Sequence, residues 1–457
     1  MDENIREEGR QENKMGTMPV GRLLFNMAVP MMVSMLFQAL YNVVDTVFVA
    51  RLSQDAMNAV SLAFPLQMLC IAFSVGTGIG MNALLSRSLG ERNQEGADRA
   101  AGTGLFLTLC TAALFTLIGL AFAGFFFRLQ TDNERIIAYG RDYVMICIGG
   151  SLGIFMQVYG ERLLQSTGRT DLSMISQVVG AAINIVLDPI LIFGLLGFPR
   201  LEVAGAAVAT VVGQLVGAAL GLYLNLTRNP EVRLRRGAIR PHAATIREIY
   251  AVGVPSIIMQ SIGSVMVFGM NKILISFTEA ATAVFGAYFK LQSFIFMPIF
   301  GLNNAMVPII AYNFGAGRPD RFRRAIRLSV FTAIAIMCAG LALFELIPGT
   351  LLGLFSPSAE MLAIGKTALR IIGLTFPLAG FCIVAGSVFQ ALGTPFYSLI
   401  VSVCRQICVL LPVAYLLSLT GRLELVWWSF PIAELMSLTL SSIFLRKTLH
   451  AANARLR

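Results

Sequence analysis

Long apolar segments separated by short polar ones recur along the whole chain. Each is about 20 residues or longer, the length that an α-helix needs to cross a bilayer. They form two sets of six, here called spans 1 to 12, at 22–50, 56–87, 98–127, 136–165, 171–196 and 203–227, then 247–276, 280–312, 324–352, 360–391, 396–419 and 424–446. The pattern predicts an all-α membrane protein with about twelve transmembrane helices.

The two sets repeat one another at a constant shift of 225 residues. Prolines, glutamines and glycines align at this shift without gaps, for example Pro30 with Pro255 and Gln67 with Gln292. Because each set has an even number of spans, both sets run in the same direction. We therefore predict two six-helix lobes related by a pseudo-two-fold axis along the membrane normal. The predicted order is a tail at 1–19, an N-lobe at 20–227, a linker at 228–245, a C-lobe at 246–448 and a tail at 449–457.

Composition and charge agree with a membrane location. Of the 457 residues 56% are hydrophobic and only 13% are charged, although the net charge is +10. Cytoplasmic loops carry an excess of Lys and Arg, so we expect a plasma (inner) membrane protein with both termini in the cytoplasm. We expect its partners to be membrane lipids and no nucleic acid. The basic clusters are Arg228, Arg233, Arg235, Arg236, Arg240 and Arg247 in the linker region, and Arg318, Arg321, Arg323, Arg324 and Arg327 after span 8.

Nothing in the loops indicates an enzyme. Gly365-Lys366-Thr367 resembles the end of a phosphate-binding loop, but that motif needs a glycine five residues earlier, and position 360 is Glu. The cysteines lie in apolar segments and the histidines in polar ones, so neither a disulfide framework nor a histidine metal site is predicted. We expect no catalytic residues and no cofactor, and an ion gradient must supply the energy.

Two acidic residues lie inside the apolar spans of the first set. Asp188 follows Asn184 by four residues, so both lie on one helix face. Asp45 in span 1 reaches a similar depth at about 1.5 Å per residue, and span 6 returns at the same level. A charge in lipid is costly unless it has a function. The predicted site for a small cation or a shared proton comprises Asp45, Asn184, Asp188, Thr210 and Ala206.

Each acid also has a plainer interpretation. Asp45 can be a polar residue near the end of its helix, and Asp188 with Pro189 can simply end span 5. Na⁺ at Asp45, Asn184, Asp188 and Thr210, as the coupling ion, is the one metal ion that we expect.

Spans 1 and 7 carry soft and aromatic side chains that suit varied amphipathic ligands and cations in a cleft between the lobes. Each of them can alternatively pack or face lipid.

The C-lobe adds basic residues and one deep acid, Glu434; the basic residues either pair internally or bind anionic groups. Pro30 deletes a helix hydrogen bond and is predicted as a hinge, with a static kink as the alternative. The predicted substrate cleft comprises Met31, Met35, Gln38, Tyr41, Asn42, Met259, Gln260, Gln292, Lys290, Arg370 and Arg405.

Three motifs resemble those of the multidrug and toxic compound extrusion (MATE) transporters, in the bacterial branch that includes MepA and DinF-like proteins. They are Val43-Val44-Asp45-Thr46, Asn184-Ile185-Val186-Leu187-Asp188-Pro189 and Ala204-Gly205-Ala206-Ala207-Val208-Ala209-Thr210. The resemblance implies two six-helix lobes and a cation site in the N-lobe on Asp45, Asn184, Asp188 and Thr210, with the carbonyl of Ala206. It also implies that Pro30 bends span 1. The acids that NorM-type relatives use in spans 7 and 10 have no counterpart here.

The resulting hypothesis is a secondary active antiporter. It exports organic cations, amphipathic drugs or metabolites in exchange for H⁺ or Na⁺ by rocker-type alternating access, and it acts as a monomer. Two alternatives stay open. One is a flippase for lipids or lipid-linked precursors, and the other is an exporter of an anionic amphipathic metabolite that uses the basic C-lobe residues.

Overall fold

The computed structural model describes residues 13–232, 239–355 and 357–455. Most of the amino-terminal tail and part of the linker, including Arg233, Arg235 and Arg236, lie outside the described residues. Within the described part every regular element is a helix. Ten helices are long and apolar enough to cross a membrane, and two bent pairs each supply one further span. The prediction of an all-α membrane fold with about twelve spans is confirmed.

The helices follow the predicted spans closely. A short helix, Lys14–Thr17, precedes span 1. Spans 1 to 6 are Val20–Ala50, Gln54–Gly90, Gln94–Arg128, the pair Glu134–Cys147 and Leu152–Ser166, Thr170–Phe193 and Val203–Arg228. Spans 7 to 12 are Ala243–Ile275, Glu279–Gly315, Pro319–Leu346, the pair Ala359–Gly373 and Phe376–Ala391, Phe396–Ser418 and Ser429–Arg455. A short helix, Pro348–Gly353, follows span 9, and another, Leu423–Val426, precedes span 12.

The internal repeat is visible in the shape of the helices. Spans 4 and 10, which correspond to each other, bend by 41° and 47°. Adjacent glycines, Gly149 and Gly150, lie in the break of span 4, and Pro377 opens the second part of span 10. Both are recognised causes of helix kinks. Spans 2 and 8 also begin alike, since the side chains of Ser53 and Thr278 each accept a backbone hydrogen bond of 3.1 Å in the first turn.

The lobes meet through the halves of spans 1, 2, 7 and 8 nearest the linker. A Cβ atom on Gly80 of span 2 would lie 2.1 Å from the carbonyl oxygen of Ile249 in span 7. A Cβ atom on Gly301 of span 8 would lie 2.6 Å from the backbone of Met32 in span 1. Such approaches require glycine, which has no Cβ. The lobes are therefore closed against each other on the linker side of the molecule.

Residues 13–18, here called the N-terminal strap, cross this closed side. Asn13 Nδ2 donates to the carbonyl of Thr167 in the N-lobe at 3.0 Å. On the C-lobe side, Arg321 donates to the carbonyls of Met15 at 3.0 Å and Met18 at 2.6 Å. Met15 is fully buried between these partners. These residues are predicted only as part of the amino-terminal tail, whereas in the fold they join the two lobes.

Candidate cation site in the N-lobe

Asp45, Asn184 and Asp188 lie together between spans 1 and 5, toward the ends that are remote from the linker. Asp188 is fully buried, Asn184 is 3% exposed and Asp45 is partly accessible. The charges of Asp45 and Asp188 are close enough to interact. Asn184 Nδ2 lies 3.3 Å from Thr210 Oγ1 and 3.5 Å from Asp188 Oδ1. Ala206 is fully buried one turn before Thr210 on span 6.

The helices around the two acids do not end at them. Span 1 continues to Ala50, and span 5 continues past Pro189 to Phe193, where Gly194 takes the left-handed conformation at φ 73°. Pro189 has no backbone N–H, so one carbonyl in the preceding turn of span 5 loses its helical partner. Asp188-Pro189 therefore does not end span 5, whereas Asp45 does lie near the end of span 1, as its plainer interpretation has it.

Several oxygen atoms of this group are buried without a hydrogen-bond partner among the described residues. They are Oδ1 of Asp45, Oδ1 of Asn184 and Oδ2 of Asp188. No basic side chain in the described part of the chain forms an ion pair with either carboxyl group. An unsatisfied buried acceptor costs about 1–3 kcal/mol. Carboxylate and amide oxygens suit a small hard cation, and two adjacent carboxyl groups can instead share a proton.

Spans 2 and 4 add side chains that the sequence analysis missed as site residues. Tyr143 lies within electrostatic range of Asp45, and its hydroxyl accepts a hydrogen bond of 3.0 Å from Gln67 Nε2. Cys147, one turn further along span 4, lies within electrostatic range of both acids. Tyr41, predicted for the substrate cleft, also lies beside both acids. In the sequence, the four-residue spacing of Tyr143 and Cys147 shows only that both lie on one face of span 4. It does not show that this face lies near Asp45 of span 1.

A line of polar side chains continues from the acids toward the linker side. Gln177 Nε2 donates to Gln38 Oε1 at 3.1 Å, and the Ser34 hydroxyl donates to Gln177 Oε1. Ser34, Gln38, Tyr41 and Asp45 recur at helical spacing, so they share one face of span 1. The acids therefore form one end of a polar seam between spans 1 and 5.

The other residues predicted for the cleft differ in accessibility. Met31 is fully buried where span 1 meets span 8, so it does not line accessible space in this conformation. Pro30 lies within an unbroken helix. The partly accessible members are Met35, Gln38, Tyr41, Met259, Gln292 and Arg405, and the exposed ones are Asn42, Gln260, Lys290 and Arg370.

The basic residues of the C-lobe have partners within the lobe. Arg405 Nη1 lies 3.2 Å from Glu434 Oε2, and Arg370 Nε lies 3.9 Å from Glu345 Oε2. Internal pairing is one of the two alternatives that the sequence leaves open for these basic residues, and Glu345 is not among the predicted partners. Lys290 Nζ lies 5.9 Å from the ring centroid of Phe355.

The C-lobe does not duplicate the acid pair. At the constant shift of 225 residues, Met270 and Val413 take the places of Asp45 and Asp188. Among the described residues, the acid pair of the N-lobe therefore has no basic partner, whereas Arg405 and Arg370 of the C-lobe have acidic ones.

Two adjacent buried ionisable residues, Glu161 and Arg162 in span 4, were also missed. Arg162 Nη1 donates to Gln165 Oε1 at 3.0 Å and to Oδ1 of Asn304 in span 8 at 3.0 Å. Glu161 Oε1 accepts a hydrogen bond of 3.0 Å from Gln157 Nε2. Because the partner Asn304 belongs to the other lobe, this group adds a polar contact to the closed linker side.

Comparisons with known proteins agree with this geometry. The FAD transporter of Shewanella oneidensis is 28% identical to this chain over 421 residues, which are 92% of each protein. The multidrug export protein MepA of Staphylococcus haemolyticus is 26% identical over 415 residues, which are 90% of each. A solved structure described as the outward-facing conformation of a multidrug resistance MATE transporter matches with a TM-score of 0.91 at 26% identity. The match covers 97% of this chain and 99% of that one.

The family profile identifies both repeats. The profile of the MatE family matches residues 30–190 and 255–416. These segments begin at Pro30 and Pro255, which the constant shift pairs, and the first segment ends just after the Asp188-Pro189 motif. Since the profile covers most of both lobes, the chain belongs to the bacterial MATE family, whose members are membrane transporters and not enzymes.

Proposed function

We propose that the protein is a secondary active antiporter of the plasma membrane. It exports organic cations, amphipathic drugs or metabolites in exchange for H⁺ or Na⁺, by rocker-type alternating access and as a monomer. The basic linker and both termini lie in the cytoplasm by the distribution of positive charge. The conformation with a closed linker side is then the one that faces outward. No cofactor takes part, since the ion gradient supplies the energy.

The observation that carries this proposal is the pair of unneutralised carboxyl groups inside the membrane. Asp45 and Asp188 interact, and each has one buried oxygen without a hydrogen-bond partner among the described residues. An ionised carboxyl group in the apolar part of a bilayer is costly, by up to about 3 kcal/mol at its centre. The site is therefore expected to take up a cation or a proton, and binding and release of that ion provide the coupling.

Span 1 connects this site to the contact between the lobes. Asp45 lies near one end of the helix, and Pro30 lies next to Met31 and Met32, which pack against span 8 at Gly301. Pro30 weakens the helix by one hydrogen bond. An ion that draws Asp45 toward span 5 is expected to bend span 1 at Pro30 and to loosen the contact at Gly301. The ion thus favours the state in which the linker side opens.

The test is efflux from proteoliposomes under an imposed pH or sodium gradient. We expect Asp188→Asn to abolish gradient-driven export of a cationic dye while the protein still inserts and folds. Asp171→Asn is the matched control, because Asp171 lies on the same helix but is exposed at its linker-side end. Export by Asp188→Asn at the wild-type rate would refute the coupling role.

An anionic amphipathic cargo is the second candidate. Its support is the basic character of the C-lobe spans, which contain Lys290, Arg370 and Arg405, together with the similarity to a protein named as an FAD transporter. Export of an anionic dye in preference to a cationic one, in the same proteoliposomes, would favour this candidate. The reverse preference would favour organic cations.

A further inference from the structure

Arg405 in span 11 has a guanidinium group that is only partly engaged. Its one ion pair in the described part of the chain is a single contact of 3.2 Å between Nη1 and Glu434 Oε2. A guanidinium has several N–H donors and binds a carboxylate or phosphate best through two of them. The side chain of Arg405 is 34% accessible, whereas that of Glu434 is 6% accessible. The side chain of Arg405 therefore keeps some accessible surface, and its guanidinium keeps donors that Glu434 does not use, while Glu434 itself is buried.

The position of Arg405 is central within the C-lobe. Glu434 of span 12, Cys382 of span 10 and Tyr288 of span 8 all lie within electrostatic range of it. Glu434 Oε1 is buried without a hydrogen-bond partner among the described residues. One carboxylate oxygen of the ion pair is thus not satisfied by the described part of the lobe.

The backbone at Arg405 is also unusual. Residues Cys404–Leu410 form a π-helical segment within span 11. Pro412 follows it, and a proline inside a helix lacks the N–H and crowds the carbonyl four residues earlier, which explains the wider turn. Wider turns of this kind are frequent at functional sites.

The fold of a lobe does not require this ion pair. At the constant shift, Gly180 and Ala209 of the N-lobe take the places of Arg405 and Glu434. The N-lobe thus builds the same six-helix arrangement with small residues at both positions. Buried ion pairs often contribute little net stability compared with apolar residues. The pair is therefore better explained by binding than by stability.

We propose that Arg405 binds the anionic group, a phosphate or a carboxylate, of an amphipathic cargo, and that Glu434 is the internal partner which this group displaces. The proposal rests on the proposed transport function and specifies its second candidate cargo. It assigns Arg405 as a binding residue and Glu434 as a residue that competes with the cargo for the same guanidinium. Removing the competitor should therefore improve binding.

The test uses FMN and riboflavin, which share a ring system and differ by a phosphate group. Dissociation constants are measured from flavin fluorescence with the full-length protein in nanodiscs of phosphatidylcholine. We expect Glu434→Gln to lower the Kd for FMN by about fivefold to tenfold, and Arg405→Gln to raise it by at least as much. The Kd for riboflavin should change by less than about twofold in both variants.

A purely structural ion pair predicts a different result. Loss of either partner would then loosen the lobe, and both variants would bind FMN more weakly or not differently from the wild type; this outcome would overturn the proposal. The double variant Arg405→Gln/Glu434→Gln leaves no unpaired charge and should bind as weakly as Arg405→Gln. Arg422→Gln is the control, because Arg422 pairs with Glu424 at 3.8 Å on the exposed surface of the same lobe and should leave the Kd unchanged.

Two further comparisons are informative. The first distinguishes a lipid phosphate from a free metabolite as the source of the anionic group, and the second distinguishes failure of the Arg405 proposal from failure of the proposed transport function. If nanodiscs that contain phosphatidylglycerol weaken FMN binding in the wild type but not in Arg405→Gln, a lipid phosphate occupies the same site. If anionic lipid has no effect, the site takes a free metabolite. Equilibrium binding needs no ion gradient, so the expected Kd changes in the Arg405 and Glu434 variants can be observed even if gradient-driven export fails. Conversely, export can persist even if those Kd changes are not observed.

Discussion

Asp188 and Arg405 place ionisable groups of opposite type in the two lobes, and the residues around the two groups differ. Arg405 is neutralised within the protein by Glu434. Asp188 has Asn184 and Asp45 beside it, and the described residues supply no basic partner. Since unpaired charge in a membrane is costly, we expect a bound cation or proton to neutralise these acids. This difference between single residues underlies the proposed ion site in one lobe and the proposed cargo site in the other.

Thr210→Val tests the ion site at the level of one hydroxyl group. Valine keeps the shape of the side chain but removes the oxygen that lies 3.3 Å from Asn184 Nδ2. We expect a loss of about 1 kcal/mol in the free energy of unfolding. We also expect a smaller rise of the melting temperature when the coupling ion is supplied, as Na⁺ or as a lower pH.

The control for this variant is Thr116→Val in span 3, whose hydroxyl donates to the carbonyl of Gly149 at 3.1 Å. It should cost similar stability and leave the response to the ion unchanged. A wild-type response to both ions in Thr210→Val would show that Thr210 is not part of the site.

Among the elements, the N-terminal strap depends on its contacts with the rest of the molecule. Its helix, Lys14–Thr17, has four residues, and so short a helix has no stability without tertiary contacts. Burial raises the pKa of Glu231, which accepts a hydrogen bond from Asn13 of the strap, and lowers the pKa of Lys14 within it. The strap is therefore held in place by partners from both lobes and should detach when the linker side opens.

Arg321→Ala should weaken the strap selectively. The variant removes hydrogen bonds to the carbonyls of Met15 and Met18, and hydrogen bonds to charged groups contribute about 1.5–3 kcal/mol each. We expect faster hydrogen exchange and faster proteolysis at residues 13–18. Arg324→Ala, on the exposed face of the same span, is the control. Equal protection of the strap in Arg321→Ala and wild type would contradict its role as an anchor.

At the scale of the whole molecule, the contact between the lobes depends on backbone approach at glycines. Gly76 of span 2 faces the carbonyl of Gly253 in span 7, and Gly80 faces that of Ile249. The sequence analysis does not distinguish these glycines from those that pack helices within one lobe. Because these glycines lie at the closed side, a small increase in side-chain volume there should shift the equilibrium between the states with a closed and an open linker side.

Gly80→Ala should shift that equilibrium toward the state with an open linker side. The added Cβ would lie 2.1 Å from a backbone oxygen, so the lobes must separate there. Distances between spin labels at the linker-side ends of spans 2 and 8 should lengthen in a larger fraction of molecules. Gly286→Ala is the control, because a Cβ atom there meets nothing within 4 Å. Unchanged distance distributions in Gly80→Ala would refute this account of the interface.

The number of spans, the repeat and the presence of acids within the apolar segments could all be predicted from the amino-acid sequence. These features follow from hydrophobic length and from the cost of charge in lipid, which are properties of single segments. The position of Tyr143 near Asp45, the burial of Met31 and the contact of Arg162 with Asn304 in the other lobe became evident only from the folded chain. These contacts depend on which helix faces meet, and the periodicity of one helix specifies its own faces but not its neighbours.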